Sequence, residues 1–254
     1  MSMIEVTTDQ RGVGKITLAR SEKHNALSSE MMQDLTHAAI NLAQDEAVRV
    51  VVLAAQGRSF CAGADLNWMR EQLASDRAGK MEQAQVLAGM LASLDQLPKP
   101  LIGCVQGNAF GGGLGMMSVC DVVLAEPDLK FALTETKLGL IPATIGPFVL
   151  RRIGMAAARR VFFTGKVMNT SMAQDIGLVS KIVARGDMEG ALEQEIAPML
   201  QTAPNAVAQA KALLRQLSAQ DDAEDMRITT EALADCWETE EAQTRITEFL
   251  EKTK

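Results

Sequence analysis

Residues 101–125 read LIGCVQGNAFGGGLGMMSVCDVVLA, and this stretch decides the fold. Its first 20 residues carry no charge and have the length of a membrane-spanning helix. They also hold six glycines, Gln106 and Asn108, and Asp121 follows directly, which suits a tight turn better than a helix in lipid. The pattern predicts a buried strand at 101–106, a glycine-rich turn, a short apolar helix near 114–119 and a strand at 122–125. Strand, helix and strand in succession argue for α/β architecture.

Working outward, 13–18 and 48–54 read as strands. The second, VRVVVLA, is almost continuous in valine and is expected to be covered on both faces. Between them Met31, Leu35, Ala39 and Leu42 recur at helical spacing behind Ser28 and Ser29, natural N-cap residues, with His37 on the polar face. A second helical region spans about 67–94, with Gly79 as its expected break, and Pro98 and Pro100 end it. Downstream, a strand is expected at 130–133. PFVLRRIG at 147–154 has the chemistry of a short helix: proline at the start, Arg151 and Arg152 in the last turn, glycine at the stop. From Met188 onward only helical patterns follow. They include an apolar stripe (Leu233, Trp237, Ile246, Phe249, Leu250) that needs a surface to cover it.

The chain has 254 residues, 47% hydrophobic and 22% charged, enough for one large unit with an appendage and a sizeable core. It carries 25 basic and 32 acidic side chains, a net charge of -7, and lacks the basic surplus that nucleic-acid binders use. Residues 221–254 hold 11 acidic and 4 basic side chains, so the surplus acid sits in the tail and the body is balanced at 21 against 21. An anionic ligand therefore meets no repelling field over the body. Cys61, Cys104, Cys120 and Cys236 show no CxxC spacing, and two histidines complete no zinc site with them; a reduced, cytoplasmic setting without a metal is expected. The opening MSMIEVTTDQ lacks the basic start and apolar run of a signal peptide.

Two glycine-bearing loops, FCAGADL at 60–66 and NAFGGGLG at 108–115, each follow a strand and precede a helix. In open α/β folds ligands sit past the carboxyl ends of strands, and helix N-termini add positive potential there. The second loop lacks both the GxGxxG order and a Lys-Ser/Thr pair, which leaves either two backbone N–H donors for an oxygen that gains charge, or simple tight turns. Glu135, in FALTETKLGLIP at 131–142, follows a strand among apolar residues. It is either a proton carrier with a raised pKa or an ordinary helix-start glutamate after Thr134.

Taken together, EKHNAL (22–27), FCAGADL, NAFGGGLG, CDVVLA (120–125) and FALTETKLGLIP resemble the enoyl-CoA hydratase/isomerase, or crotonase, superfamily in order and spacing over nearly the whole chain. The resemblance implies a spiral of β-β-α turns in two packed sheets over residues 1–194, and a C-terminal helical trimerisation region over 195–254. It implies a homotrimer, or a hexamer made of two trimers, and an acyl-CoA thioester as substrate, so that coenzyme A arrives with the substrate and is no resident cofactor. By position the two oxyanion donors are the backbone N–H groups of Ala64 and Gly112. Main-chain atoms around Ala26, Ala62, Asp65 and Leu66 correspond to the surface that holds the coenzyme A moiety, with capping of the next helix as the other role open to Asp65.

One departure matters for chemistry: Gly115 stands where the family's first catalytic glutamate falls, and Glu135 matches the second. The glycine-rich continuation is also replaced, by IPATIGPFVLRRIG at 141–154. That segment resembles a subgroup of methylglutaconyl-CoA hydratases and related dehydratases. The resemblance implies reversible addition of water to a 2-enoyl-CoA, possible acyl groups being 3-methylglutaconyl or a related branched chain. A double-bond isomerase working with one glutamate is the alternative, and an idle acyl-CoA binder or RNA-associated protein the third. Asn108 either forms a turn or orients water; the extra aromatic and lysine with which some members complete a neighbour's coenzyme A pocket have no match after Phe249, and whether Lys252 or Lys254 substitutes is open.

Overall fold

The computed structural model describes residues 3–218 and 222–253. Lys254 lies outside them. The chain opens with an antiparallel pair, β1 (Ile4–Thr8) and β2 (Val13–Leu18), then a 3₁₀ turn (Ser21–Lys23) and α1 (Ser29–Gln44). Three similar turns of chain follow. The first is β3 (Val50–Ala55), β4 (Ser59–Cys61), α2 (Leu66–Ala74) and α3 (Arg77–Asp95). The second is β5 (Leu101–Val105), β6 (Asn108–Phe110) and α4 (Gly112–Ser118). The third is β7 (Val122–Ala125), β8 (Phe131–Ala132), a 3₁₀ turn (Glu135–Leu138) and α5 (Gly146–Phe162). The chain ends with α6 (Thr170–Asp175), β9 (Lys181–Ile182), α7 (Met188–Leu200), α8 (Pro204–Leu217), α9 (Asp222–Trp237) and α10 (Glu240–Lys252).

The longer strand of each turn joins a six-stranded sheet, β1-β2-β3-β5-β7-β9, and the shorter one a three-stranded sheet, β4-β6-β8. Apart from β1 with β2, all pairings between these strands are parallel. This is the expected α/β spiral of β-β-α turns. It places the loop after β4 and the start of α4 beside the short sheet, where backbone donors collect. The expected boundary at 194/195 falls inside α7, whose Ala191 and Ile196 pack on the large sheet.

Strand β3 shows why its valines run on without polar breaks. Val51 and Leu53 enter the main core with α1, whereas Val50 and Val52 enter a second cluster with Ile196. A strand alternates sides residue by residue, so two covered faces require apolar residues at both phases.

Several local expectations need adjustment. Strand β3 begins at Val50, and the strand expected at 130–133 shortens to Phe131–Ala132. Ser28, and not Ser29, caps α1, accepting from the Met31 N–H. The break in the second helical region falls at Ser75–Asp76 instead of Gly79, because Asp76 accepts from the Gly79 N–H and so starts a new helix there. Gly154 does interrupt α5, at φ 73°, but helix resumes to Phe162. Arg151 and Arg152 reach across elements rather than serving as helix-end charges. Arg151 pairs with Asp225 at 3.0 Å and lies over the Phe148 ring, and Arg152 donates to the carbonyls of Cys120 and Gly177, both at 2.8 Å. The C-terminal stripe finds its cover within the chain: Trp237, Ile246 and Leu250 are buried in the main core. No helix among the described residues is long and apolar enough to cross a membrane, and 101–120 folds as β5, β6 and α4.

Candidate active site

The site begins with Asn25. His24 and Asn25 both adopt left-handed backbone (φ 53° and 52°), a conformation asparagine tolerates better than most residues. The buried Asn25 side chain donates to the carbonyls of Gln56 and Ser59, each at 2.9 Å, and accepts from the Arg20 N–H at 3.0 Å. That fixes the path of Ala26 and Leu27. Leu27 then pairs with the loop after β4: its N–H donates to Gly63 at 2.8 Å, and its carbonyl accepts from Asp65 at 2.9 Å. These bonds use the neighbours of Ala64 and leave its own N–H without a backbone acceptor among the described residues.

Asp65 closes this arrangement. One carboxylate oxygen caps α2, accepting from the N–H groups of Asn67 at 2.7 Å and Trp68 at 3.2 Å. The other meets Arg20 Nη1 at 2.8 Å, with both side chains largely buried. The same Nη1 donates to the Ala26 carbonyl at 3.2 Å. Asp65 is therefore a cap, one of its two expected roles, and it also ties Arg20 to the segment carrying Ala64.

Gly112 is the first residue of α4, and an α-helix offers its opening N–H groups no partner of its own. The preceding Gly111 is held by its N–H to the Ala132 carbonyl at 3.1 Å and takes φ 49°, a backbone a side chain would strain. Glu135 opens the 3₁₀ turn after β8. It therefore occupies the helix-start position directly after Thr134, which adds no side-chain cap, and the same carboxyl is buried. Glu135 Oε2 has less than 1 Å² exposed and no hydrogen-bond partner. Burial pushes the carboxyl pKa from 4.5 up to about 7, against a smaller lowering by a bond from its own N–H. At that value both protonation states are populated near neutrality, as a proton carrier requires.

A cavity of about 410 Å³ joins these parts. Glu135, Ala64, Gly112, Ala26, Ala62, Asp65 and Leu66 all line it, so every site residue expected from the sequence converges on one space. Much of the remaining wall is apolar, with Met32, Met69, Leu87 and Leu140 joined by Leu233, Trp237 and Phe249 from α9 and α10. Trp68 and Trp237 meet edge to face, their ring centres 6.4 Å apart. At Gly115 a Cβ would stand 2.9 Å from Ile145 Cγ2 and 3.2 Å from Leu91 Cδ1, so apolar side chains already occupy the space a glutamate there would enter. Asn108 opens β6 and ties it to the segment before β8, its side chain accepting from the Lys130 N–H at 2.9 Å, so the expected local turn role is not the one seen. No group of three His, Cys, Asp or Glu residues among those described is placed to hold a metal ion.

Sequence reasoning passed over Arg20, Asn25 and Trp68. Asn25 left a legible signal, as an asparagine inside EKHNAL suits left-handed backbone. Arg20 left none, because its partner Asp65 lies 45 positions away.

Comparison with known proteins agrees with the site. The family model for enoyl-CoA hydratase/isomerase matches residues 8–254. The enoyl-CoA hydratase AKT6-1 of Alternaria alternata is 33% identical over 208 residues, 82% of this chain and 68% of the relative. A short-chain-enoyl-CoA hydratase of Clostridium acetobutylicum is 29% identical over 100% of this chain and 97% of its own. The crystal structure of an enoyl-CoA hydratase from Shewanella pealeana superposes with a TM-score of 0.82 at 35% identity, covering 98% of this chain and 94% of that one. The chain belongs to the enoyl-CoA hydratase/isomerase family, the crotonase superfamily. Within it the chain stands as an enzyme of the enoyl-CoA hydratase class, a hydro-lyase, and membership implies an acyl-CoA substrate.

Proposed function

We propose that the protein adds water reversibly across the double bond of a 2-enoyl-CoA thioester, with Glu135 as the only carboxyl that moves protons and the N–H groups of Ala64 and Gly112 as the oxyanion donors. The observation that carries this proposal is one cavity lined by Ala64, whose N–H has no backbone acceptor among the described residues, by Gly112 at the open start of α4, and by a buried carboxyl poised near neutrality. As carboxylate, Glu135 takes a proton from water while the water oxygen bonds to C3. The double-bond electrons move to C2 and onto the thioester oxygen, where the two N–H groups hold the enolate. Glu135 then returns the proton to C2, so water is added in full and the carboxylate is regenerated. Ala26, Ala62, Asp65 and Leu66 form the surface for the coenzyme A moiety.

The motif likeness extends the proposal to 3-methylglutaconyl-CoA or a related branched acyl-CoA. The cavity wall favours the hydrocarbon branch. Among the described residues Lys23 is the one lysine or arginine on it, and it is exposed beside Glu22 rather than set among the apolar residues that would surround the acyl group. A panel of enoyl-CoA thioesters, including 3-methylglutaconyl-CoA, followed by loss of conjugated thioester absorbance, tests both levels. Rapid loss with hydrocarbon chains supports the reading, and no loss with any member rejects it.

The absence of a glutamate at Gly115 favours a second reading, an isomerase that lifts a proton from one carbon and returns it two carbons away. It ranks behind hydration because the hydratase relatives extend over most of the chain. A homotrimer or a dimer of trimers is the proposed assembly, supported by the apolar face that α8 leaves open at Leu213, Leu214 and Leu217. Light scattering on the purified protein reads its mass.

A further inference from the structure

Among the described residues, two buried polar atoms on residues lining the cavity lack partners, Glu135 Oε2 and Thr144 Oγ1. Thr144 is 3% exposed. Buried polar side-chain atoms in folded proteins are nearly always hydrogen-bonded, so an orphan on a cavity wall calls for a ligand or a water. The position of Thr144 gives this orphan a meaning. The next residue, Ile145, is the one whose Cγ2 would stand 2.9 Å from a Cβ at Gly115. The segment that brings Thr144 to the cavity is therefore the same segment that fills the space beside Gly115.

We propose that the Thr144 hydroxyl is the second anchor for the attacking water, in the role that a carboxyl at position 115 cannot take in this chain. The proposal rests on the hydratase reading given above. A hydroxyl both donates and accepts, so Thr144 can donate to the water oxygen while the water donates one hydrogen to Glu135 and points a lone pair at C3. Thr144 gives up no proton in the net reaction: Glu135 takes the proton from water and delivers it to C2, as before. The chemistry thus keeps one acid-base group and gains a neutral group that fixes the water. Thr144 also borders a small void of about 10 Å³ beside Phe148 and Arg151, enough for about one water. If its hydroxyl were satisfied there, the residue would have no part in the reaction.

The test compares wild type with Thr144→Val, which replaces the hydroxyl by a methyl group of similar size, and with Thr144→Ser, which restores it. Two rates are read on the same hydrocarbon enoyl-CoA: hydration, and exchange of the proton on the carbon next to the double bond (C4) for deuterium, a step that requires Glu135 and the oxyanion donors but no water attack. The expected result is a loss of about 30-fold in hydration kcat for the valine variant, the size of one lost hydrogen bond to a reacting group, with KM and exchange within threefold of wild type. The serine variant should recover most of the loss. Hydration unchanged in the valine variant, or hydration and exchange falling together, overturns the role of Thr144. A wild-type enzyme that exchanges protons and never hydrates removes the hydratase reading itself, and with it this proposal.

Discussion

Glu135 and Gly111 stand close enough that a Cβ on Gly111 would lie 3.2 Å from Glu135 Oε1. The contact sets the carboxyl against the turn that opens α4, whose first residue supplies the Gly112 N–H. The proposed proton carrier and the proposed oxyanion donor are thus positioned by one local packing arrangement, which requires a glycine. Gly111→Ala should lower kcat by about tenfold or more through displaced reacting groups while CoA binding persists, since misplacement of about 1 Å is costly to catalysis. Unchanged kcat in that variant would separate the two residues functionally.

With Glu135 as the proposed proton carrier, its pKa of about 7 should set the acidic limb of activity. Hydration needs the carboxylate, so kcat/KM should rise with pH and reach half its plateau near pH 7, measured on the free enzyme at low substrate. Glu135→Gln should remove about a thousandfold of turnover, the range expected for losing a general acid-base group. A limb near pH 4.5, the value of an ordinary glutamate, would show that burial does not govern this group.

The same shift affects stability in the opposite direction. The folded-state pKa lies above the ordinary value of 4.5, so the favourable contribution is complete below pH 4.5 and is lost as pH rises through about 7. Above pH 7 the burial of the charged carboxylate costs roughly 3 kcal/mol. In denaturant titrations Glu135→Gln should therefore gain on wild type between pH 5 and about 8, and match it near pH 4. A difference that does not vary with pH would contradict this.

Arg20 acts on the site through Asp65 and the Ala26 carbonyl. Arg20→Met should cost about 3 kcal/mol of stability, because it leaves a buried carboxylate unpaired. It should also raise KM for the acyl-CoA more than it lowers kcat, because Ala26 and Asp65 lie on the proposed coenzyme A surface. A double variant with Asp65→Asn should recover part of the stability. A loss in the double variant equal to the sum of the two single losses would show that the two residues act independently.

Much of this was legible in the sequence because it rested on short-range patterns. The glycine-rich run after 101–106 announced a strand feeding a helix N-terminus, and FALTETKLGLIP placed a carboxyl among apolar residues. Six of the seven expected site residues lie just after a short strand or at the first turn of a helix, and Ala26 joins them on the segment that Asn25 fixes ahead of α1. Long-range relations were hidden. Nothing local indicated that the C-terminal stripe folds back to set Trp237 and Phe249 on the cavity wall, so it was expected to require a cover it already has. Nor did Gly79 break its helix, since a capping aspartate three residues earlier outweighs the low helix propensity of one glycine.

Isotope incorporation separates hydration from double-bond migration in a single experiment. Wild-type protein is incubated with a hydrocarbon 2-enoyl-CoA in water labelled with oxygen-18 and deuterium, and the product is read by mass spectrometry. The account predicts one oxygen-18 at C3 and one deuterium at C2 in equal amounts, both lost together in Glu135→Gln. A product with a shifted double bond and no oxygen-18 would contradict it.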